Sequence, residues 1–286
     1  KAIYKKEVKS YLTSMIGYVF IFFILLLEGI YFTAYNLQNA YPLFGTTLSA
    51  VTFIFLILVP VLTMKTIAEE RKQKTDQLLL TAPVSVSEIV LGKFLAVATV
   101  YAIPVLIICL YPMIMGKYGT VSYAMAYTAV LGFALLGFAQ IAVGVFWSSV
   151  TENPVIAAVV TFIVLFVCYM ITGIGSLIPD SSMASLACYM LLVLLAAVWI
   201  YHMIRNLWIA AVIGIAGEAA LAITYVVKST LFEGSIQKFL AVFDITSHFD
   251  NFTNGILDLQ GVVYFLSVII IFLVLTVQTI TKRRWN

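Results

Sequence analysis

Eight almost entirely apolar stretches, each of about twenty residues, constrain this chain more than any other feature. They cover residues 15–36, 45–65, 94–115, 123–147, 155–178, 184–204, 207–227 and 262–281. A bilayer core is about 30 Å thick, and a helix of about 20 residues crosses it while pairing its own backbone groups. The sequence therefore predicts an all-α integral membrane protein, a polytopic bundle of about eight transmembrane helices.

The composition excludes a soluble domain and gives no support to nucleic-acid binding. Of 286 residues, 63% are hydrophobic and 10% are charged, whereas soluble domains carry about 25% charged residues. The formal net charge is only +3, and the basic residues are scattered. Neither the three cysteines nor the two histidines stand at metal-ligand spacing. We expect membrane lipid to surround the chain, with no metal and no nucleic acid bound.

The distribution of Lys and Arg predicts the orientation. With eight spans, 13 of the 16 basic residues fall on the side of both termini, and only Lys117, Lys228 and Lys238 fall on the other. The positive-inside rule therefore places both termini in the cytoplasm. Arg205-Asn206, between the sixth and seventh stretches, is either a tight hairpin or a break in one helix. A single merged span would leave seven spans and put the basic C-terminus outside, against the positive-inside rule. The sequence therefore favours eight spans.

Three segments are not predicted to span. Residues 1–14 have Tyr4, Val8 and Tyr11 at helical spacing, with Glu7 and lysines between them, which predicts an amphipathic interfacial helix with a basic polar face. Residues 66–91, here called the charged segment, form the long cytoplasmic loop. Residues 228–261 form an extracytoplasmic loop, in which we expect short helices partly sunk into the outer leaflet.

The charged segment is expected to begin as a short helix and to stop at Pro83. Ser85, with Glu88 three residues later, matches a capping box, so a new helix should begin there. Lys93 would then lie one or two turns inside this helix and extend its ammonium to the lipid headgroups. A rigid charged helix between two spans gives a soluble partner a surface through which it can move both spans. The alternative is a solvated loop that only follows the charge bias.

Two runs of sequence resemble type-2 ABC exporter permease subunits, and the GldF-like branch in particular. The first reads Glu70-Arg71-x-x-Lys74-Thr75-x-x-Leu78-Leu79, then Pro83-x-Ser85 and Glu88-Ile89-Val90-x-Gly92-Lys93. The other run is similar to the last outside loop and final span of that family, and reads Phe249-Asp250-Asn251-Phe252, Gly255-Ile256-Leu257-Asp258, Val263-Tyr264-Phe265 and Lys282-Arg283-Arg284-Trp285. Lys74 stands where that family has Gly, so we expect continuous helix in place of a turn.

The resemblance implies one permease domain over residues 1–286, with a six-helix core and an extra transmembrane hairpin at 184–227. Such a subunit couples ATP hydrolysis by separate cytoplasmic ABC ATPase subunits to export from a bacterial cell, across the inner membrane. It pairs with a second permease subunit, either the same chain or a different one, and GldF-like systems suggest an extracytoplasmic accessory protein. The coupling-helix residues expected to contact the ATPase are Glu70, Arg71, Lys74, Thr75, Leu78, Leu79 and Pro83.

The chain is not expected to be an enzyme. A phosphate-binding loop of the form G-x-x-x-x-G-K-[ST] is missing from the sequence, since Phe138 follows the suitably spaced Gly132 and Gly137. No clustered nucleophile, base or metal set is visible either. We expect no cofactor on this chain, and ATP with Mg in the partner ATPase.

Two carboxylates, Glu28 and Glu218, fall within predicted spans. A charge at that depth costs about 2.5–3.5 kcal/mol and by default marks a pathway or a pair. Glu28 is either a substrate or proton site, or a residue that lies near the outer interface or bonds a neighbouring helix. Glu218 lies beside Gly214 and Gly217, which favours close helix contact and a buried hydrogen bond.

Two other function classes remain open at this point. A gradient-driven secondary transporter would use Glu28 and Glu218 as coupling sites. Such carriers often have two related halves, and the sequence has no convincing internal repeat. A non-transporting membrane scaffold is the other alternative.

Overall fold

The structure is a computed structural model that describes residues 2–76 and 84–285, without the side chains of 202–204, 209–210 and 284–285. Within these ranges the secondary structure is helical, and no strand is present. The main helices are α1 (Ala2–Thr13), α2 (Met15–Tyr31), α3 (Phe44–Thr63), α4 (Ala68–Lys72), α5 (Val86–Ile108), α6 (Tyr111–Met115), α7 (Tyr123–Val150), α8 (Pro154–Ser176), α9 (Ser182–Ile204), α10 (Leu207–Val227), α11 (Ser235–Ala241), α12 (Asp250–Thr253) and α13 (Leu259–Trp285). The predicted all-α class is confirmed.

The long helices coincide with the apolar stretches of the sequence. Seven of those described are long and apolar enough to cross a membrane. Residues Ala211–Val227 of α10 and the helical segment Ser229–Ala241 meet at a bend of 116°. If this bent pair is counted as one span, the number of spans is eight. The polytopic bundle of seven to eight spans is therefore confirmed.

The chain divides into two compact units, residues 1–167 with 245–286, and residues 168–244. In the first unit α7 is the central helix, and it packs against α3, α5, α12 and α13. Small residues allow this close packing. A Cβ atom on Gly137 would collide with the ring of Tyr101, and one on Gly132 would lie 2.5 Å from Cβ of Phe252. Gly132 and Gly137, which have the spacing of a phosphate-binding loop but lack its lysine, are therefore close-contact positions between helices.

The N-terminal helix α1 packs against α5 and α2 within the first unit. Ile3 lies against Gly92, and the hydroxyl of Tyr4 shares a hydrogen bond of 3.0 Å with Oγ1 of Thr99. The placement of Glu7 on an outward polar face is wrong, because Glu7 and Tyr11 are the buried residues of this helix. Glu7 turns inward because a buried cation lies opposite it.

In the second unit, α9 and α10 form an antiparallel hairpin. Arg205 ends α9 in the left-handed conformation, with φ of +54°, and Oδ1 of Asn206 accepts a hydrogen bond of 3.0 Å from the N–H of Trp208. Arg205-Asn206 is therefore a tight turn and not a break within one helix.

The short helices expected in residues 228–261 are present as Ser229–Phe232, α11, Ser247–Phe249 and α12.

Candidate functional site

A buried lysine joins three parts of the first unit at the base of the charged segment. Lys93 on α5 is only 2% exposed. Its Nζ atom lies 2.9 Å from Oε2 of Glu70 and 3.1 Å from Oε1 of Glu7, and it donates a hydrogen bond of 2.8 Å to the carbonyl of Thr66. Lys93 therefore links α1, the start of the charged segment and α5.

The expected extension of Lys93 towards lipid headgroups is wrong. A buried ammonium needs compensating charge and a full set of acceptors, and an unpaired one is strongly destabilising. Glu7 and Glu70 supply the charge, and the carbonyl of Thr66 supplies a third acceptor. These charge-assisted contacts are shorter and stronger than neutral ones, so the ammonium points into the protein.

A polar cleft of about 600 Å³ opens beside this cluster, between α1 and residues 65–75. Its charged lining is balanced, with three lysines and three glutamates: Lys6, Lys65 and Lys93, and Glu7, Glu69 and Glu70. Nζ of Lys6 lies 3.6 Å from Oε1 of Glu70, and Nζ of Lys65 lies 3.4 Å from Oε2 of Glu69. Glu69 and Glu70 of the charged segment are thus engaged by lysines of the same chain.

Tyr11 on α1 forms a second attachment. Its hydroxyl donates to the carbonyl of Leu62 at 3.3 Å and shares a hydrogen bond of 3.0 Å with Oγ1 of Thr66. Burial raises the pKa of this hydroxyl well above its ordinary value, so it stays neutral and remains a donor. The bend after α3 is held against α1 at this point.

Ser148 on α7 forms the third attachment. Its Oγ atom accepts hydrogen bonds from the N–H groups of Ile67 at 3.0 Å and Ala68 at 3.1 Å, and donates to the carbonyl of Met64 at 3.1 Å. The first N–H groups of a helix have no partner within the helix. Ser148 therefore acts as an N-cap for α4 from a different helix, and it binds the segment to the central span.

Arg71 also faces the interior and is 6% exposed. It lies in a small cavity with Ile67, Ile89 and Ile280, near Arg283, and its Nη1 atom has no hydrogen-bond partner. Arg283 on α13 is paired with Glu152, whose Oε1 atom lies 2.5 Å from Nη2. This hydrogen bond and the guanidinium charge lower the pKa of Glu152, in the connection between α7 and α8.

The expectation of continuous helix through Lys74 is wrong. The helix α4 ends at Lys72, and Lys74 has φ of +56°, in the left-handed region. A non-glycine residue there costs about 1–2 kcal/mol. The turn persists because the N–H groups of Lys74 and Thr75 still find carbonyl acceptors, on Arg71 at 3.0 Å and Glu70 at 2.9 Å. Lys74 thus adopts the backbone conformation that Gly would adopt most easily.

The residues predicted to contact an ATPase therefore divide into two groups. Glu70 and Arg71 point inward, whereas Lys74 and Thr75 are exposed at the tip of the turn, together with Lys72 and Gln73. Leu78, Leu79 and Pro83 lie outside the described residues. Beyond that gap, the predicted capping box is confirmed, because Ser85 and Glu88 exchange hydrogen bonds of 3.2 and 3.3 Å at the start of α5. The contact with an ATPase stays a prediction.

The two carboxylates within the spans lie in different units. Glu28 on α2 is fully buried in the first unit, and neither of its oxygens has a hydrogen-bond partner. The expected bond from Glu28 to a neighbouring helix is therefore not formed. Glu218 does lie where α9 and α10 touch, since a Cβ on Gly217 would lie 2.8 Å from Val193. Its oxygens are also without hydrogen-bond partners, so the close helix contact is made by the neighbouring glycine and the buried hydrogen bond is not formed.

Sequence reasoning did not find the roles of Glu7, Ser148 and Lys93. A signal was present for Lys93, because a lysine inside an apolar helix implies acidic partners elsewhere in the chain. For Ser148 no signal exists, since serine is common at the end of a span and its partners are backbone groups 80 residues away.

Comparison with known proteins agrees with this architecture. The model of a family described as "ABC-2 family transporter protein" matches residues 1–283, which include the whole charged segment, the second unit and all but the last three residues of the first unit. No curated protein matches the sequence. Members of this family are the membrane components of ABC transporters, which work with ABC ATPase subunits, and are not nucleotide-binding domains. The chain belongs to the ABC-2 transporter family, as a multi-pass permease subunit of an ABC transporter.

Proposed function

We propose that this permease subunit is driven by separate cytoplasmic ATPase subunits that press on the exposed turn at residues 72–76, and that it exports its substrate. The observation that carries the proposal is the attachment of the charged segment at its base. Its start is bonded to α1 through Tyr11, to α5 through Lys93 and to α7 through Ser148. A force applied at the turn therefore reaches these helices and is not absorbed by a flexible loop.

The charges at the turn suit a docking surface. Lys72 and Lys74 are exposed, Glu69 and Glu70 before them are engaged by lysines of the cluster, and Asp76 lines the small cavity that also holds Arg71. The exposed residues of the turn, 72–75, therefore carry only positive charge. Opposite charge across an interface mainly speeds association and sets the register, and we expect an acidic groove on the ATPase.

The wider assembly follows from the sequence. The bias of Lys and Arg favours both termini in the cytoplasm, and the motif resemblance favours the GldF-like branch and a bacterial inner membrane. A second permease subunit completes the pathway, and an extracytoplasmic accessory protein would contact residues 228–261. ATP and Mg belong to the ATPase partner, since the sequence carries no phosphate-binding loop.

The test is co-purification of the chain with its ATPase from cells that express both. The variant Lys72→Glu with Lys74→Glu should reduce the retained ATPase at least tenfold. The matched control, Lys117→Glu with Lys228→Glu, carries the same charge change on the side predicted to lie outside, and it should retain the ATPase. Arg71 is unsuitable, because reversing a buried charge would damage the fold.

Two results would overturn the proposal. Undiminished ATPase on the Lys72 and Lys74 variant would show that the turn is not the contact. Transport that follows an ion gradient without nucleotide, and that is lost in Glu28→Gln, would instead support a secondary transporter, which the unpartnered carboxyl of Glu28 would suit.

A further inference from the structure

The hairpin of α9 and α10 carries an apolar groove of about 610 Å³. This volume lies within the range of about 300–1,000 Å³ that is typical of small-molecule sites. Its walls are formed largely by Met190, Leu194, Ala197, Val198, Ile215 and Ala219. Leu194, Val198 and Ile215 remain more than half exposed, so the groove is open along one side within the second unit.

One acidic side chain lies among these apolar walls. Glu218 lines the groove, and its two carboxyl oxygens are buried without a hydrogen-bond partner. Buried polar side-chain atoms in native proteins usually have a partner, and an unsatisfied one requires an explanation. A ligand that places positive charge beside Glu218 would explain why these oxygens have no partner within the chain.

The depth of Glu218 limits what that ligand can be. The helix α10 has 21 residues, and Glu218 is preceded by 11 of them and followed by nine. At 1.5 Å per residue the helix is about 31 Å long, which is close to the thickness of the hydrocarbon core. In the eight-span arrangement predicted from the sequence, where α10 crosses the bilayer, the carboxyl group therefore lies near the middle of the core, too deep for the ammonium of a phospholipid headgroup.

At the base of the groove, two glycines of α10 lie directly against α9. Cβ atoms on Gly214 and Gly217 would lie 3.2 and 2.8 Å from Ala197 and Val193 on α9. The two helices already touch along this line, so they cannot move closer to fill the groove. The space beside Glu218 is thus a fixed feature of the hairpin.

We propose that this groove binds a lipophilic organic cation, whose charge is placed beside Glu218 and whose apolar groups lie against Leu194, Ala197 and Ile215. Charge complementarity selects this class, because an anion would be repelled and a neutral hydrocarbon would leave the carboxyl group unpaired. The inference concerns binding alone and does not depend on the ATPase, so it stands or falls separately from the proposed function.

The test uses tritiated tetraphenylphosphonium and the full chain held in lipid nanodiscs, with empty nanodiscs to measure partitioning. We expect saturable binding of one cation per chain. Tetraphenylborate has the same shape and the opposite charge, and it should not compete. Glu218→Gln, which keeps the side-chain shape, should weaken binding at least tenfold, and Ala219→Leu, which fills the groove, should do the same.

The matched control is Glu233→Gln, which makes the same charge change at an exposed position of the same unit. It should bind the cation as the unaltered chain does. Binding that survives Glu218→Gln, or equal competition by tetraphenylborate, would reduce the groove to a non-specific apolar surface and overturn the proposal. Absence of saturable binding would also overturn the proposal. This holds whether lipid or a second copy of the chain occupies the groove instead.

Discussion

The Nζ atom of Lys93 lies 2.9 Å from Oε2 of Glu70, and through this pair the third apolar span is tied to the charged segment that precedes it. The two residues are 23 positions apart, with the undescribed residues 77–83 between them. A movement at the turn after α4 therefore has a short route to α5, which does not depend on those residues.

The first prediction concerns the buried lysine. Lys93→Met should lower the free energy of unfolding by about 3–5 kcal/mol, because Glu7 and Glu70 lose their buried cation and keep only the exposed Lys6 nearby. Lys65→Met removes a lysine whose pair with Glu69 is largely exposed, and it should cost less than about 1 kcal/mol. Reversible unfolding in mild detergent measures both. Adding Glu7→Gln and Glu70→Gln to Lys93→Met should restore most of the loss, and equal effects of the two lysine variants would contradict the cluster.

A second prediction separates two adjacent serines. Ser148→Ala leaves the N–H groups of Ile67 and Ala68 buried and unpaired, and should cost about 1–3 kcal/mol. Ser149 is equally buried, but its hydroxyl only donates to the carbonyl of Phe146 in its own helix. Ser149→Ala should therefore have a small effect on the same unfolding midpoint. A larger loss in Ser149→Ala than in Ser148→Ala would mean that Ser148 does not cap α4.

A third prediction follows from the backbone of Lys74. Lys74→Gly should stabilise the fold by up to about 1 kcal/mol, because Gly adopts positive φ without steric cost. Lys72→Gly, two residues earlier at the last position of α4, should destabilise by less than about 1 kcal/mol. Thermal unfolding followed by circular dichroism compares the two variants, which lose the same charge. If both lower the midpoint equally, the turn at Lys74 is not left-handed.

A fourth prediction concerns pH. Arg283 lowers the pKa of Glu152, so the stability that this pair contributes is complete above the unfolded pKa of about 4.3 and is lost as pH falls through the folded pKa. Arg283→Gln should raise the pKa of Glu152 towards its ordinary value, as measured by NMR titration of ¹³C-labelled glutamate. Lys282→Gln removes the same charge one residue away and should leave the pKa nearly unchanged. An unchanged pKa in Arg283→Gln would show that the pair does not form.

The helices could be predicted from the sequence, because length and apolar composition decide which segments span a bilayer. All eight apolar stretches are helical, and the capping box at Ser85 and Glu88 starts α5 as expected. These features are local, so each can be inferred from a few neighbouring residues.

The contacts that hold the charged segment could not be predicted in the same way. The sequence favours an outward Lys93 because a lysine near the end of a span usually reaches water, and only the folded chain brings Glu7 and Glu70 to it. The conformation of Lys74 escapes prediction for a related reason. Helix propensity favours lysine over glycine, whereas the hydrogen bonds of the turn decide its backbone.

The most direct test of the account is a photo-crosslinking amino acid placed at the turn after α4, in cells that also express the ATPase. In place of Thr75 it should capture the ATPase subunit on illumination. In place of Tyr118, which is 79% exposed and lies on the side predicted to be outside, it should capture none. Capture from position 118, or none from position 75 in an assembly that hydrolyses ATP and transports, would contradict the account.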